Sequence, residues 1–254
     1  DAWTKEESIL SHFVKLISMS RDSKITEDGV KAIEMLFKYK AKLQYCDGSI
    51  LFWPISYGKY EIVKILLEKG ASATFWPKDK IGYDWNFTPI EQATALGHEE
   101  IIELLVRYGA KRLSESDAVQ LRFIEVAKYG TMSELKDLIK KGAYVNTWNQ
   151  NKETALLNAL SSSFYYYETY IKVMYLLDLG ADVNLKWKDI DIPLNQAIFH
   201  SSLLYKANRD TSYAEIILQE LIKKGAFVSA QNKYGETPLH IAAKYNHLYA
   251  ARLL

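Results

Sequence analysis

One cysteine, Cys46, stands alone among 254 residues. No disulfide can form within the chain, so the fold does not depend on an oxidising compartment. An excess of charge is missing too: Lys and Arg total 32 against 31 Asp and Glu, a formal +1. Nucleic-acid binders carry a basic face or tail, and this balance gives no such signal. No apolar run approaches the roughly 20 residues that span a bilayer. The residues from Asp1 onward also lack the basic and then apolar segments of a signal peptide. Histidine is scarce, with five residues, and none falls at a zinc-ligand spacing. No Ser, Cys or carboxylate stands where it would implicate His12 or His200 in catalysis. The glycines cluster in no phosphate-cradling pattern. These absences predict no catalytic residue, no metal, no cofactor, no nucleic-acid partner and no membrane insertion.

What is abundant is tyrosine, 18 residues against 9 Phe, with 6 Trp besides. Aromatic rings with a polar handle suit half-wet surfaces better than a dry core. The chain is nevertheless long enough to bury a continuous core.

An internal echo organises the chain, and such echoes are best sought before any other signal. An apolar pair, two polar residues and then Gly-Ala occur at Leu66–Ala71, Leu105–Ala110, Leu138–Ala143, Leu176–Ala181 and Leu221–Ala226. A degraded copy runs from Leu36 to Ala41. A second echo opens each unit, clearest in Thr237-Pro238-Leu239-His240-Ile241-Ala242-Ala243 and close in Thr88-Pro89-Ile90-Glu91-Gln92-Ala93. Thr154-Ala155-Leu156-Leu157 and Ile192-Pro193-Leu194-Asn195 are looser copies. Thr before such a run can cap a helix, with Pro at its first position. Small residues such as Ala242 and Ala243 let that first helix pack closely. The apolar pair gives a second helix its buried stripe, and the Gly supplies a left-handed stop. Lys140-Lys141 and Lys223-Lys224 then fall in last turns, where cations favour the negative helix end.

The spacing between copies is uneven. Ala110 to Ala143 is 33 residues, Ala41 to Ala71 is 30, Ala71 to Ala110 is 39, Ala143 to Ala181 is 38 and Ala181 to Ala226 is 45. The excess before Thr88 falls in a connecting finger; those at 161–167 and 201–212 fall between paired helices.

With Gly97-His98 between the two echoes and Val145-Asn146 and Asp182-Val183-Asn184 after Gly-Ala, the pattern resembles the ankyrin repeat. The resemblance covers nearly the whole chain and rests on several motifs in fixed order. It implies an all-α ankyrin-repeat solenoid of about seven helix-turn-helix repeats with short β-hairpin-like fingers. In register the repeats fall at 1–45, 46–76, 77–115, 116–148, 149–186, 187–231 and 232–254. They make a single domain, divergent in its first repeat and incomplete in its last. Because Arg252-Leu253-Leu254 falls in mid-helix, the natural protein is expected to continue. The family also implies structural roles for His98, His240 and His247, which hydrogen-bond neighbouring groups. Asn146 and Asn184 match the pattern that asparaginyl hydroxylases accept in some repeats, although turn hydrogen bonds already account for such residues. Asp189 and Asp191 could hold a divalent cation but fall on a finger, where polar residues face solvent.

Partners of this family are held on finger tips and the exposed side of the first helices. Register places Trp85 and Phe87 on the long second finger near Phe75, Trp76 and Tyr83. It places Trp148 and Trp187 at the next two finger bases and Tyr234 on the last finger. On first helices it exposes Trp53, Tyr57, Tyr129, Phe199 and Tyr245, with Lys128, His200 and Lys244 alongside. Trp and Tyr beside Lys are the composition of interface hot spots. Rings near the long finger have a second reading, as a satellite core beneath it. Tyr165, Tyr166 and Tyr167 lie in an insertion on the other side, marking a second contact region or a local loop core.

The resemblance therefore implies a monomeric, cytoplasmic, non-enzymatic module that binds another protein. A second reading is the targeting array of a larger multidomain enzyme, or of a host-directed bacterial effector, whose catalytic domain lies outside these residues. The abundance of Lys, Ile, Tyr and Asn is similar to that of ankyrin proteins from intracellular bacteria.

Overall fold

Each Gly-Ala ending closes a helix in the same way. The Ala71 N–H donates to the Leu66 carbonyl at 2.9 Å, and Ala110, Ala143, Ala181 and Ala226 repeat the bond to Leu105, Leu138, Leu176 and Leu221. The residue between must turn left-handed, and Gly70, Gly109, Gly142, Gly180 and Gly225 all do so, with φ between 84° and 97°. This is the Schellman closure, and it explains why the echo joins Leu, Gly and Ala at fixed separation. Helix starts follow the other echo. Thr88 with Glu91 and Thr237 with His240 form capping boxes, and Thr154 Oγ1 accepts the Leu157 N–H. Pro89, Pro193 and Pro238 occupy first-turn positions.

In this computed structural model the described residues are 9–39, 43, 50–74, 87–161, 167–185, 192–207 and 209–254. The calls on Cys46, Phe75, Trp76, Tyr83, Trp85, Tyr165, Tyr166, Trp187, Asp189 and Asp191 lie outside them. The fold is all-α, and among the described residues fourteen helices form seven successive pairs. They are α1 (Ile9–Met19) with α2 (Ser23–Lys38), α3 (Phe52–Ser56) with α4 (Tyr60–Glu68), and α5 (Pro89–Leu96) with α6 (Glu99–Arg107). Next come α7 (Glu115–Tyr129) with α8 (Met132–Lys140), and α9 (Ala155–Leu160) with α10 (Tyr167–Asp178). The last are α11 (Pro193–Lys206) with α12 (Ser212–Lys223), and α13 (Pro238–Lys244) with α14 (Leu248–Leu253). An isolated antiparallel bridge joins Trp148 to Thr154, the mark of a finger base.

The chain divides into two units, Asp1–Ala118 and Val119–Leu254. In the first, Ile33, Ile55, Ile62, Leu66 and Leu105 are fully buried. Long polar side chains join its repeats: Lys59 Nζ donates to the Ser20 carbonyl at 2.7 Å, and Gln92 Nε2 to Ser56 Oγ at 2.6 Å. His98 bonds the Ser56 backbone, and burial lowers its proton affinity.

In the second unit Phe123, Leu135, Leu156, Leu176 and Leu221 are fully buried. Ala242 packs with no exposed surface, but Ala243 is exposed, so only one of the expected small-residue pair serves close packing. Here an amide ladder ties the Gly-Ala turns together. Asn146 Nδ2 donates to the Gly180 carbonyl at 3.0 Å while its Oδ1 accepts the Asp182 N–H at 2.8 Å. Asn184 does the same with Gly225 and Phe227, at 2.9 and 2.8 Å. Gln120, reaching from α7, supplies the matching bonds to Gly142 and Tyr144. Each amide thereby satisfies one carbonyl and one N–H that the turns leave open.

Candidate functional site

Two fingers in the second unit are built alike. In one, the Asn149 N–H donates to the Glu153 carbonyl at 3.0 Å, and in the other the Asn232 N–H to that of Glu236 at 3.0 Å; each Asn side chain bonds both the carboxylate and the N–H of its Glu. The tip must turn left-handed. Gly235 does so at φ 76°, whereas the other finger places Lys152 there at φ 63°, a conformation costly for a residue with a Cβ. These fingers carry Trp148 at one base and Tyr234 at the other tip, 43% and 75% exposed.

The ends of the first helices supply the rest of the surface. Tyr129, at the end of α7, is 71% exposed, with the Lys128 ammonium 5.1 Å from its ring centre. Lys172 fixes this segment from below: its buried Nζ donates to the Gly130 carbonyl at 2.9 Å and lies 3.5 Å from that of Lys128. Burial lowers the Lys172 proton affinity, against the attraction of Glu168 and Glu134. On α11, Phe199 meets Tyr245 edge-on at 5.2 Å, and His200 lies 3.0 Å from Gln196. Lys206 Nζ sits 4.8 Å from the Tyr245 ring centre, and Lys244 bridges from that tyrosine to Glu236 of the finger at 2.8 Å. Lys233 lies 5.2 Å from the Tyr234 ring centre.

The electrostatics join these pieces. Burial and then the Lys128 charge push His200 down to about 4, so it is neutral at pH 7. Glu125, on α7, is pushed up by burial and by Glu153, with Lys128 opposing. Glu236 is held down by its bonds to Lys244 and Asn232. Phe199 and Tyr245 are in contact, Lys244 ties their neighbourhood to Glu236 on the finger that carries Tyr234, and the Lys128 charge beside Tyr129 is felt at His200; Trp148 shares the finger of Glu153.

In the first unit Trp53 and Tyr57 stack on one another at 6.2 Å, Lys15 sits 5.1 Å from the Trp53 ring and Phe52 meets its edge at 5.2 Å. Trp53 is half-buried, and so is Phe87 beside the Thr88 cap. Tyr167 joins Tyr170 and Tyr213 in a ring cluster, with contacts of 5.2–6.4 Å.

Register reasoning passes over Lys206, Lys233 and Lys172. The Lys-Tyr dipeptides at 128–129, 233–234 and 244–245 are a signal that would have found Lys233. Lys206 lies beyond the repeat's usual first helix, and Lys172 acts across 42 residues of sequence, so neither has a local signature.

The buried histidine that meets a hydroxyl is positioned to support the fold. Buried His247 accepts the Ala250 N–H at Nδ1, leaving Nε2 to donate to Ser201 Oγ at 2.9 Å. Ser201 in turn donates to the Ile198 carbonyl. With its free lone pair used and the hydroxyl proton committed, this pair is a tie between repeats. Lys140 and Lys223 pair with Asp137 and Glu220 at the ends of their own helices, each at 3.0 Å. Among the described residues no cluster of three metal-ligating side chains occurs, and no helix is long and apolar enough to cross a membrane.

Comparison with known proteins agrees with the repeats. Family models for ankyrin repeats match residues 24–115 and 215–254, together more than half of the chain. A putative ankyrin repeat protein, L371, of Acanthamoeba polyphaga mimivirus is 26% identical over 85% of this chain and 26% of its own length. Human ankyrin repeat and SOCS box protein 6 is 33% identical over 53% of this chain and 32% of its own length; for the mouse protein the figures are 29%, 64% and 34%. The chain thus spans about a quarter to a third of these relatives. The human ASB11 ankyrin repeat domain, a crystal structure, is 19% identical, with a TM-score of 0.43 over 96% of this chain and 98% of that one. Paired helices closed by Gly-Ala turns, amide ladders between those turns and the two family matches have one meaning: the chain belongs to the ankyrin-repeat family.

Proposed function

We propose that this array captures a partner protein on the finger-and-first-helix surface of its second unit, and that it carries out no chemistry of its own. Ankyrin repeats are protein-interaction modules. The observation that carries the reading is the set of Tyr129, Tyr245 and Tyr234, each beside a lysine, with Phe199 packed on Tyr245 and a buried repeat core behind them. Tyr offers a large contact area with few torsions to immobilise, so it contributes strongly per residue when a partner covers it. Trp148 is an accessory contact of this surface, with Trp187 assigned to it by register alone; Trp53, Tyr57, Trp85 and Phe87 belong to the first unit and are not part of it.

The test is affinity capture from cells that express the chain, with intact protein and a Tyr129→Ala/Tyr245→Ala variant side by side. The variant should lose the captured protein while keeping its helical circular-dichroism signal. Equal capture by both would remove the proposal.

A second reading is favoured by the relatives. Two of their names join ankyrin repeats to a SOCS box and to a KH domain, another is a putative palmitoyltransferase, and this chain spans only part of each. In this reading the array directs a larger protein to its partner. The full reading frame decides it: a further domain supports the targeting role, and a stop codon within one repeat of Leu254 ends it.

A further inference from the structure

We infer that this surface takes an acidic segment of the partner, an extended run in which Asp or Glu residues alternate with apolar ones. The inference rests on the proposed function and names the chemistry that this surface recognises.

Four lysines stand over or beside the exposed Tyr129 and Tyr234 and the half-buried Tyr245. Lys128, Lys206 and Lys233 lie 4.8–5.2 Å from the centres of Tyr129, Tyr245 and Tyr234, and among the described residues none of the three makes an ion pair. An ammonium placed over a ring uses one side of its charge and keeps N–H groups for a carboxylate. The fourth, Lys244, is already paired with Glu236. The carboxylates of this surface are also committed: Glu236 to Lys244 and Asn232, and Glu153 to Asn149. The surface therefore offers unpaired positive charge beside rings that would cover apolar side chains. His200, neutral and next to Phe199, adds surface without adding charge.

The interleaving of Glu125, Glu153 and Glu236 with these lysines favours a peptide over a nucleic acid. A phosphodiester strand brings negative charge at every step and meets those carboxylates unfavourably. A peptide can present apolar residues at those points and carboxylates at the lysines, which is the complementarity that selects partners and guides encounter.

The test uses three fluorescein-labelled peptides of about twelve residues, alternating Leu with Glu, Gln or Lys, and a labelled thymidine oligonucleotide of equal length. Fluorescence anisotropy should show the Glu/Leu peptide binding about tenfold or more tighter than the Gln/Leu peptide, a gap that narrows in high salt. The Lys/Leu peptide and the oligonucleotide should bind more weakly than either. In Lys128→Gln/Lys206→Gln/Lys233→Gln the advantage of Glu over Gln should disappear, with the melting temperature unchanged. An equal affinity for Glu/Leu and Gln/Leu peptides, a variant that keeps the preference, or tighter binding of the oligonucleotide would overturn the inference. The two failures are separable. If Tyr129→Ala/Tyr245→Ala loses the captured partner but these peptides show no acidic preference, the surface stands and its chemistry is wrong. If the variant captures normally, the surface itself is wrong.

Discussion

The two units use the same repeat and secure it differently. In the first, Lys59, Gln92 and His98 reach from one repeat to carbonyls and a hydroxyl of another, and the half-buried Trp53 stacks with the exposed Tyr57. In the second, Lys172 and His247 make ties of the same kind at helix ends, Gln120, Asn146 and Asn184 also zip the turns together, and Tyr129, Tyr234 and Tyr245 lie beside lysines. Helix-end ties are thus common to both units, and the turn ladder is what the second adds. With its turns fastened as well, the second unit leaves Tyr129 and Tyr234 exposed.

Four measurements would break or sharpen that contrast, and the largest effect concerns the cores. Leu66→Ala in the first unit and Leu176→Ala in the second each remove a fully buried side chain and should cost about 2–5 kcal/mol. Native-state hydrogen exchange should show protection falling in the altered unit. Equal loss across both units from either substitution would mean that the contrast has no energetic counterpart.

The next effect concerns the amides. Asn184→Ala removes two bonds between turns and should cost about 1–2 kcal/mol by urea titration. Gln92→Met in the first unit should cost under about 1 kcal/mol, because Gln92 Oε1 is buried without a protein partner and the substitution removes that burden. The reverse ranking would deny the ladder its role.

Acid should follow. His200, His247 and His98 all bind protons less readily when folded, so the stability they contribute is complete above the ordinary histidine value of 6.5 and is lost as pH falls below it. For His200 the loss runs from 6.5 to about 4. Because this ring is partly solvent-facing, screening limits its effect to about 1–2 kcal/mol. The second unit, with two of these three histidines, should lose exchange protection before the first as pH falls through that window.

The smallest effect lies in the matched fingers. Lys152→Gly relieves a left-handed residue and should gain about 0.5–1 kcal/mol, whereas Gly235→Lys should lose a similar amount. A loss from both would show that the fingers are not equivalent.

Most of the fold was legible because its decisive bonds are local. The Leu–Gly–Ala closure spans five residues and the Thr cap three, so each leaves a fixed spacing in the sequence. The exposure of Tyr129 and Tyr234 was legible from register, whereas Tyr245 and Phe199, expected exposed, are half-buried against one another. What was not legible acts at long range. Gln120 serves a turn 22 residues away, Lys172 a helix end 42 away and His247 a hydroxyl 46 away. Half-burial of Trp53 and Phe87 likewise depends on neighbours that register does not specify. Of the uneven spacings, those at 75–86 and 162–166 lie outside the described residues, whereas the excess read at 201–212 lengthens α11 to Lys206 before α12 begins at Ser212.

The central claim is that capture belongs to the second unit. Its most direct measurement is the dissociation constant of the captured partner for two variants, Trp53→Ala/Tyr57→Ala and Tyr129→Ala/Tyr245→Ala, against the intact chain. The second variant should bind at least about 30-fold more weakly, as expected when a hot-spot tyrosine worth about 2 kcal/mol is truncated. The first should stay within about threefold. The opposite order, with the first variant losing the partner and the second holding it, would contradict the claim.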